Sequence, residues 1–275
     1  MSSFTDNDIL KDFHIHSCYS DGDLEPAEIV DRWMAEGYGI ISITDHDGIE
    51  GSIEGANYVA DNNLDIQFVS GIEFDSSDEL AHEIHILGYG FDYDSPAIRS
   101  ALSKVVLWRA RRNDAIFQTL IELGYDINIE EIMAVNGGRY TGKPTFARVL
   151  VDKGYFESIT DVFEKLLDSN EKLCALRKET LPANEVIDII HEAGGIAIMA
   201  HPMEYKERGE SLESYMPRLV KLMGRLVEYG IDGIECEHPS ATTEETRWLK
   251  ECAMKNRLVI TAGSDFHSDA VKRVY

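Results

Sequence analysis

The chain has 275 residues, with 26 Lys and Arg against 50 Asp and Glu, so its formal net charge is −24. This acidity disfavours binding to duplex DNA, which depends on Lys and Arg to neutralise phosphates. The apolar runs are far shorter than the roughly 20 residues of a membrane helix, and the first residues lack the pattern of a secretory signal. Together with four Cys without CxxC spacing, these features predict a cytoplasmic globular protein with free thiols.

Seven short apolar runs rich in β-branched residues predict strands. They span residues 12–16, 40–44, 67–73, 84–89, 195–200, 233–236 and 258–262. Helical spacing of apolar residues predicts helices over 25–36, 183–192 and 244–255. Strands that alternate with helices are typical of parallel sheets. The expected fold class is therefore α/β with parallel strand pairing.

The strand pattern is interrupted between residues 94 and 193, where helical patterns occur without a convincing strand. Val105, Trp108, Ile116 and Leu120 share one face of a predicted helix that ends at Gly124. Residues 95–150 carry eight Lys and Arg against five Asp and Glu, a net charge of +3 in a chain whose remainder carries −27. We therefore predict a helical insertion over 94–193, set within a domain formed by 10–93 and 194–275.

The strongest chemical signal is the pair of histidines in the first predicted strand, His14 and His16. Because alternate side chains of a strand lie on the same face, the two imidazoles can converge on one metal ion. Two surface histidines on a half-buried strand would have the same spacing. The pair is therefore a candidate metal site that needs support from other residues.

That support comes from His and acidic residues near the ends of other predicted strands. They are Asp45, His46, Asp47, Glu73, His85, His201, Asp265 and His267. In a barrel of parallel strands the carboxyl ends share one face, where active sites are built. Independent surface residues would not be expected to share that position, so the pattern favours a single site with several metal ligands.

These segments resemble the PHP (polymerase and histidinol phosphatase) family of metal-dependent phosphoesterases. The matching residues are His14-Ile15-His16, Tyr19-Ser20-Asp21-Gly22, Thr44-Asp45-His46-Asp47, Gly71-Ile72-Glu73, His85-Ile86-Leu87-Gly88, Gly194-Gly195 through Ala200-His201-Pro202, and Gly263-Ser264-Asp265-Phe266-His267. The resemblance covers nearly the whole chain and is nearest to the branch that hydrolyses nucleoside 3′,5′-bisphosphates and, in some members, trims short RNA from the 5′ end. It implies a distorted seven-stranded β/α TIM-like barrel with an inserted helical subdomain that caps the active site.

The resemblance also implies a set of metal ligands. They are His14, His16, Asp21, His46, Glu73, His85, His201, Asp265 and His267. In the family such residues hold two to three divalent ions, and a hydroxide that bridges the metals, rather than a protein nucleophile, attacks the phosphate. The mixture of imidazole and carboxylate donors suits Mn²⁺, Fe²⁺ or Zn²⁺ better than Mg²⁺ or Ca²⁺.

Candidate substrate-binding residues come mainly from the basic insertion. Lys143-Pro144-Thr145-Phe146-Ala147-Arg148 resembles a family segment that usually reads Arg-x-His-Phe-Ala-Arg, with Lys143 and Thr145 in place of the usual Arg and His. Arg109 and Arg112 are three residues apart on a predicted helix and project to one side. His238 follows the sixth predicted strand and is a further candidate phosphate contact.

The function implied is hydrolysis of a phosphate monoester, with the 3′-phosphate of a nucleoside 3′,5′-bisphosphate as the preferred substrate and short 5′-phosphorylated RNA as a further one. Two alternatives are histidinol-phosphate phosphatase and a non-catalytic metal-binding regulatory module. The basic insertion and the Ser264-Asp265-Phe266-His267 ending favour the nucleotide branch, and a complete set of ligand positions argues against the module. The expected partner is a small phosphorylated molecule, and the sequence leaves the oligomeric state open.

Overall fold

The computed structural model describes residues 9–206 and 210–269, apart from the side chains of His82 and Asn136. These residues form nine strands. The strands are β1 (Leu10–Ile15), β2 (Tyr38–Ile43), β3 (Gln67–Phe68), β4 (Gly71–Asp78), β5 (Ala81–Tyr89), β6 (Leu181–Pro182), β7 (Ile196–Met199), β8 (Gly233–Glu237) and β9 (Val259–Ala262). Strand and helix alternate along much of the chain, which confirms the predicted α/β class.

The same residues form ten α-helices. The helices are α1 (Pro26–Ala35), α2 (Glu50–Asn62), α3 (Pro96–Glu122), α4 (Ile129–Ala134), α5 (Lys143–Asp152), α6 (Ile159–Val162), α7 (Glu171–Ala175), α8 (Ala183–Glu192), α9 (Leu212–Tyr229) and α10 (Thr243–Asn256). Helix α1 begins at Pro26, whose missing N–H costs nothing in the first turn. The Glu28 carboxylate accepts a hydrogen bond from the Glu25 N–H at 2.9 Å, which stabilises that helix start.

The strands lie in two sheets, one ordered β1-β2-β3 and the other β6-β4-β5-β7-β8-β9. Two isolated bridges join the sheets, Ile15 with Phe266 and His46 with Glu73. No continuous strand ladder closes a barrel within the described ranges, so the expected seven-stranded closed barrel is not confirmed. The predicted strand over 67–73 was wrong in its extent, because the chain leaves the first sheet after Phe68 and enters the second sheet at Gly71.

Strand direction also differs from the expectation of parallel pairing. β5 is antiparallel to both β4 and β7. Only Glu79 and Leu80 connect β4 to β5, and so short a link permits a hairpin but no parallel crossover. The interval 94–193 also contains one strand that sequence patterns did not predict, the two-residue β6, which pairs with β4.

Apolar packing separates two parts of the interval 94–193. The first half of α3 and helix α8 pack on the large core with β4, β5 and β7, through residues such as Val105 and Ile187. A second apolar cluster lies entirely between Ile116 and Leu173. The division into a barrel domain and a capping insertion stays a prediction, but its helical part has a core of its own.

Candidate metal centre

The nine predicted ligands lie together where the two sheets meet. Their donor atoms form five overlapping groups, each with all members within 4.8 Å of one another. The groups are His16-Asp21-His46-His267, His14-His16-Glu73, His14-His238-Asp265, His46-Asp75-His85 and Glu73-His85-His201. Each of the nine predicted ligands occurs in at least one group. The groups also contain His238, which was predicted as a phosphate contact, and Asp75, which the sequence analysis did not single out.

Glu73 lies at the middle of this cluster, with 1% of its side chain exposed. Its Oε2 is 3.3 Å from His16 Nε2 and 3.1 Å from His46 Nδ1. Its Oε1 is 2.9 Å from both His85 Nδ1 and His201 Nε2. One carboxylate thus faces histidines from both sheets.

The local backbone helps to aim these side chains. His201, Asp265 and Asp47 adopt positive φ angles of 20°, 49° and 48°. Such conformations are unfavourable for residues other than glycine and persist where the surrounding structure imposes them, often at functional sites. In this chain they occur two to four residues after β7, β9 and β2 end.

One buried carboxylate outside the predicted set holds His14 in place. Glu235, which is fully buried, has Oε1 3.0 Å from His14 Nδ1, and its Oε2 accepts a hydrogen bond from the His201 N–H at 2.8 Å. A metal-binding histidine commonly has its second ring nitrogen paired in this way, which fixes the ring orientation. The sequence patterns did not single out Glu235, which lies in the buried part of β8 between Ile234 and Cys236.

The carboxylates shift the protonation of the imidazoles. Burial disfavours the charged form of His16, but the hydrogen bonds to Asp265 and Glu73 and the charge of Asp21 raise its pKa to about 10. Burial acts to raise the pKa of Glu73, yet the imidazolium charges of His46, His14 and His85 hold that pKa well below its usual range. The acidic ligands are thus anionic at neutral pH, as metal binding requires.

Several buried polar atoms of the cluster make no hydrogen bond of regular geometry among the described residues, although they face imidazole or carboxylate atoms of the same cluster. They are Asp21 Oδ1, His46 Nδ1, Glu73 Oε2, Asp75 Oδ1, His201 Nδ1, His238 Nε2 and His267 Nε2. Buried polar atoms are normally hydrogen-bonded, so this concentration at one place needs an explanation. Divalent cations would satisfy the carboxylate and imidazole donors together, so the residues fit a metal centre.

A cavity of about 430 Å³ adjoins the cluster. Its charged and histidine lining consists of the candidate ligands Asp21, His46 and His85, the cations Arg112, Lys143, Arg177 and Lys178, and the acids Asp75, Glu83 and Asp168. Neither Arg112 nor Arg177 has a carboxylate partner within the described part of the chain. Lys143 Nζ lies 3.6 Å from Asp168 Oδ1. Four basic residues of the 94–193 interval therefore line the same cavity as candidate metal ligands.

The remaining predicted substrate contacts have other neighbours. Arg109 donates to the backbone oxygens of His46 and Asp47 at 3.3 and 3.4 Å and so supports that corner of the site. Arg148 donates to Asp23 Oδ1 at 3.0 Å and lines a separate cavity. His238 Nε2 lies 3.4 Å from Asp265 Oδ2, inside the cluster of candidate ligands.

A second cavity, of about 790 Å³, opens beside His85 and His201. It shares Glu83, His85 and Arg177 with the cavity lined by basic residues. The two cavities therefore flank the His85 side of the cluster. Their combined size exceeds what a single phosphate needs, and pockets of this size accept nucleotide-sized molecules.

The sequence profile of the PHP domain family matches residues 12–257. The chain belongs to the PHP domain family. This confirms the resemblance drawn from the motifs. Within the described ranges, moreover, none of the PHP chain's helices is both long and apolar enough to cross a membrane.

Three PHP relatives illustrate the activities found among similar proteins. A 5′-3′ exoribonuclease of Haemophilus influenzae is 31% identical over 256 residues, covering 93% of this chain and 89% of the relative. A phosphoribosyl 1,2-cyclic phosphate 1,2-diphosphodiesterase of Eggerthella lenta is 30% identical and covers 94% of both chains. A 3′,5′-nucleoside bisphosphate phosphatase of Chromobacterium violaceum is 30% identical, covering 94% of this chain and 87% of the relative.

Solved structures agree with the fold. An amidohydrolase of Chromobacterium violaceum, solved with bound sulfate and no metal, has a TM-score of 0.82 at 28% identity, over 94% of this chain and 88% of that chain. The relatives of this PHP chain are hydrolases of phosphate esters. The expectation of a metal-dependent phosphoesterase is confirmed at this level, and the exact ester is a separate question.

Proposed function

We propose that the chain removes the 3′-phosphate from a nucleoside 3′,5′-bisphosphate such as adenosine 3′,5′-bisphosphate. The observation that carries this proposal is the cavity lined by Arg112, Lys143 and Arg177 directly beside the candidate metal ligands. A monophosphate needs one anion site, whereas a bisphosphate needs a second within reach of the first. The bisphosphate phosphatase of Chromobacterium violaceum lends further support.

The proposed metal ligands are the nine residues expected from the sequence, which hold two to three ions of Mn²⁺, Fe²⁺ or Zn²⁺. They are His14, His16, Asp21, His46, Glu73, His85, His201, Asp265 and His267. Divalent ions bound there supply Lewis-acid activation of water and neutralise charge on the phosphoryl group. The chain itself contributes the donor geometry, which Glu235 reinforces by orienting His14 and the backbone of His201.

The basic residues hold the second phosphate in this proposal. The guanidinium groups of Arg112 and Arg177 can each donate two parallel hydrogen bonds to a phosphate, whereas the Lys143 ammonium acts as a point charge. Because these cations are next to the ligands, the anchored phosphate holds the scissile phosphate at the ligand cluster. Such positioning lowers the entropic cost of reaching the reactive geometry.

The larger cavity beside His85 and His201 leaves room for the nucleoside, or for the next residue of a short RNA. Trimming of short 5′-phosphorylated RNA therefore remains part of the proposal, with support from the exoribonuclease of Haemophilus influenzae. Both activities would use the same donors and the same basic cavity. They differ in how far the substrate extends past the scissile bond.

A substrate panel tests the proposal. Purified protein supplied with Mn²⁺ is assayed on adenosine 3′,5′-bisphosphate, 5′-phosphorylated oligoribonucleotides, histidinol phosphate, a ribose 1,2-cyclic phosphate and p-nitrophenyl phosphate. We expect the highest kcat/KM on the bisphosphate, with release of its 3′-phosphate.

A preference for histidinol phosphate or the cyclic phosphate would replace the proposed substrate while leaving the metal centre intact. Absence of turnover on every ester, in protein that binds Mn²⁺, would favour a non-catalytic metal-binding module instead. The assembled donor set argues against that outcome.

A further inference from the structure

We propose that Asp75 is an additional metal ligand, which completes one site together with His46 and His85. The inference rests on the metal centre of the proposed function, but it does not depend on which ester is hydrolysed. Asp75 was absent from the ligands predicted by sequence. Its donor atom lies within 4.8 Å of donor atoms of both histidines.

Strand geometry brings Asp75 to this position. It follows Glu73 by two residues on β4, so both carboxylates lie on the same face of the strand. Asp75 is also the direct antiparallel partner of His85 on β5. Its Oδ1 lies 3.1 Å from His46 Nδ1 and 3.7 Å from His85 Nε2. The three side chains therefore meet between the end of β2 and the β4-β5 hairpin.

The two oxygens of Asp75 have different surroundings. Oδ2 pairs with the ammonium of Lys178, which also pairs with Asp47 Oδ2. Oδ1 is buried and makes no hydrogen bond of regular geometry in the described part of the chain; its nearest polar neighbour is His46 Nδ1, at 3.1 Å. If Asp75 served only to pair with Lys178, its second oxygen would not need to face the two imidazoles of His46 and His85. Oδ1 is thus the oxygen that faces the two candidate metal-binding histidines.

Replacing Lys178 distinguishes two roles of Asp75, because a metal ligand and a mere anchor for Lys178 predict different effects on metal binding. If Asp75 is a ligand, the nearby ammonium is a cation that competes electrostatically with the metal, so its removal leaves the ligand in place and favours the ion. If Asp75 only anchors Lys178, the two residues act as a pair. Removing either would then have the same effect on the protein.

Mn²⁺ binding provides the readout. Protein stripped with a chelator is titrated calorimetrically, and bound metal per chain is measured after desalting, for the unmodified chain and for Asp75→Asn, Lys178→Met and Glu83→Gln. Glu83 is the matched control, because its carboxylate lies 3.6 Å from the same His85 Nε2 but is 74% exposed. Circular dichroism checks that each variant is folded, and Lys178→Gln replaces Lys178→Met if the latter does not fold.

We expect Asp75→Asn to lose one Mn²⁺ per chain or to bind it at least about tenfold more weakly. Glu83→Gln should bind as the unmodified chain does, and Lys178→Met should bind equally or more tightly. Equal binding by Asp75→Asn and Glu83→Gln, or equal losses in Asp75→Asn and Lys178→Met, would overturn the inference. If the unmodified chain itself binds no Mn²⁺, the proposed metal centre fails rather than the assignment of Asp75.

Discussion

Individual residues of the centre depend on one another because they are buried. His14 and His16 are fully buried, and each lies within 3.5 Å of at least two carboxylates. A buried charge that loses its partner is strongly destabilising, whereas a buried charge that is paired is tolerated. Loss of one ligand should therefore affect both metal binding and the remaining donors.

The first prediction concerns the ligands. Asp265→Asn and His14→Ala should each reduce phosphatase activity by more than about a hundredfold and lower the bound metal, because each removes a donor from the centre. Asn tolerates the positive φ of residue 265, so that variant should keep its fold. Activity assays with elemental analysis check the outcome. His191→Ala is the control, since this exposed histidine pairs with Asp232, outside the ligand groups. An equal loss of activity and bound metal in His191→Ala would contradict the assignment of Asp265 and His14 as ligands.

The second prediction concerns the cavity of about 430 Å³ that Arg112, Lys143 and Arg177 line beside the candidate metal ligands. Arg112→Ala should lower kcat/KM for adenosine 3′,5′-bisphosphate more than for p-nitrophenyl phosphate, which has no second phosphate to anchor. A charge-assisted hydrogen bond contributes about 1.5–3 kcal/mol, so a loss of roughly ten- to hundredfold is expected. Arg111→Ala, an exposed neighbour on α3, is the matched control. Equal losses on both substrates would mean that Arg112 supports the fold or the metal centre instead.

At the scale of elements, the backbone of the segment after β9 passes very close to residues of the candidate metal centre. A side chain at Gly263 would place its Cβ 2.2 Å from His14 Cβ and 2.4 Å from Glu235 Oε1. Glycine is therefore required there for steric reasons, since no side chain fits between β1 and β8. The backbone of this segment sets how closely Asp265 and His267 approach the first histidines.

The third prediction follows from this contact. Gly263→Ala should lower the free energy of unfolding by about 1–3 kcal/mol and reduce bound metal, because it displaces His14 and Glu235. Gly224→Ala offers a comparison within α9, where a Cβ meets nothing within 4 Å. That change should raise stability by about 0.5–1 kcal/mol through reduced chain entropy. Thermal and urea unfolding measure both effects, and a neutral Gly263→Ala would show that the segment can shift.

At the scale of the whole molecule, a chain of net charge −24 must hold phosphate at a site made largely of acids and histidines. The fold accomplishes this by facing the donor cluster with the basic residues of the 94–193 interval. Bound cations would add further positive charge at the same place. The absence of duplex DNA binding and the cytoplasmic location both stay predictions.

The fourth prediction concerns pH. Neighbouring carboxylates raise the pKa of His16 from 6.5 to about 10 despite its burial. In the absence of metal, the His16 imidazolium therefore stabilises the fold fully below pH 6.5, and this stabilisation is lost as the pH rises through about 10. Metal binding must displace the proton, so apparent Mn²⁺ affinity should increase from pH 6.5 to 9. The stabilisation by added Mn²⁺ should increase in the same direction. Calorimetry in buffers of different ionisation enthalpy checks proton release, and pH-independent affinity would contradict the prediction.

Much of the centre could be predicted from sequence because its residues are tied to local patterns. The spacing of His14 and His16, and the positions of His46, His201 and Asp265 at strand ends, depend only on alternation and on where each strand stops. The α/β class follows from the same periodicities. These features are local, so neighbouring residues along the chain are enough to determine them.

Tertiary structure alone decided the rest, because the deciding contacts join residues far apart in sequence. The β4-β5 hairpin that brings Asp75 beside His85 is local, but the pairing of β5 with β7 joins Ile86 to Met199, far along the chain. The contacts of Glu235 with His14 span 221 residues, and those of Lys178 with Asp47 span 131. Sequence patterns also could not separate Arg112, which faces the ligands, from Arg148, which pairs with Asp23. Both are basic residues on amphipathic helices, and only the packing of those helices determines which surface each one reaches.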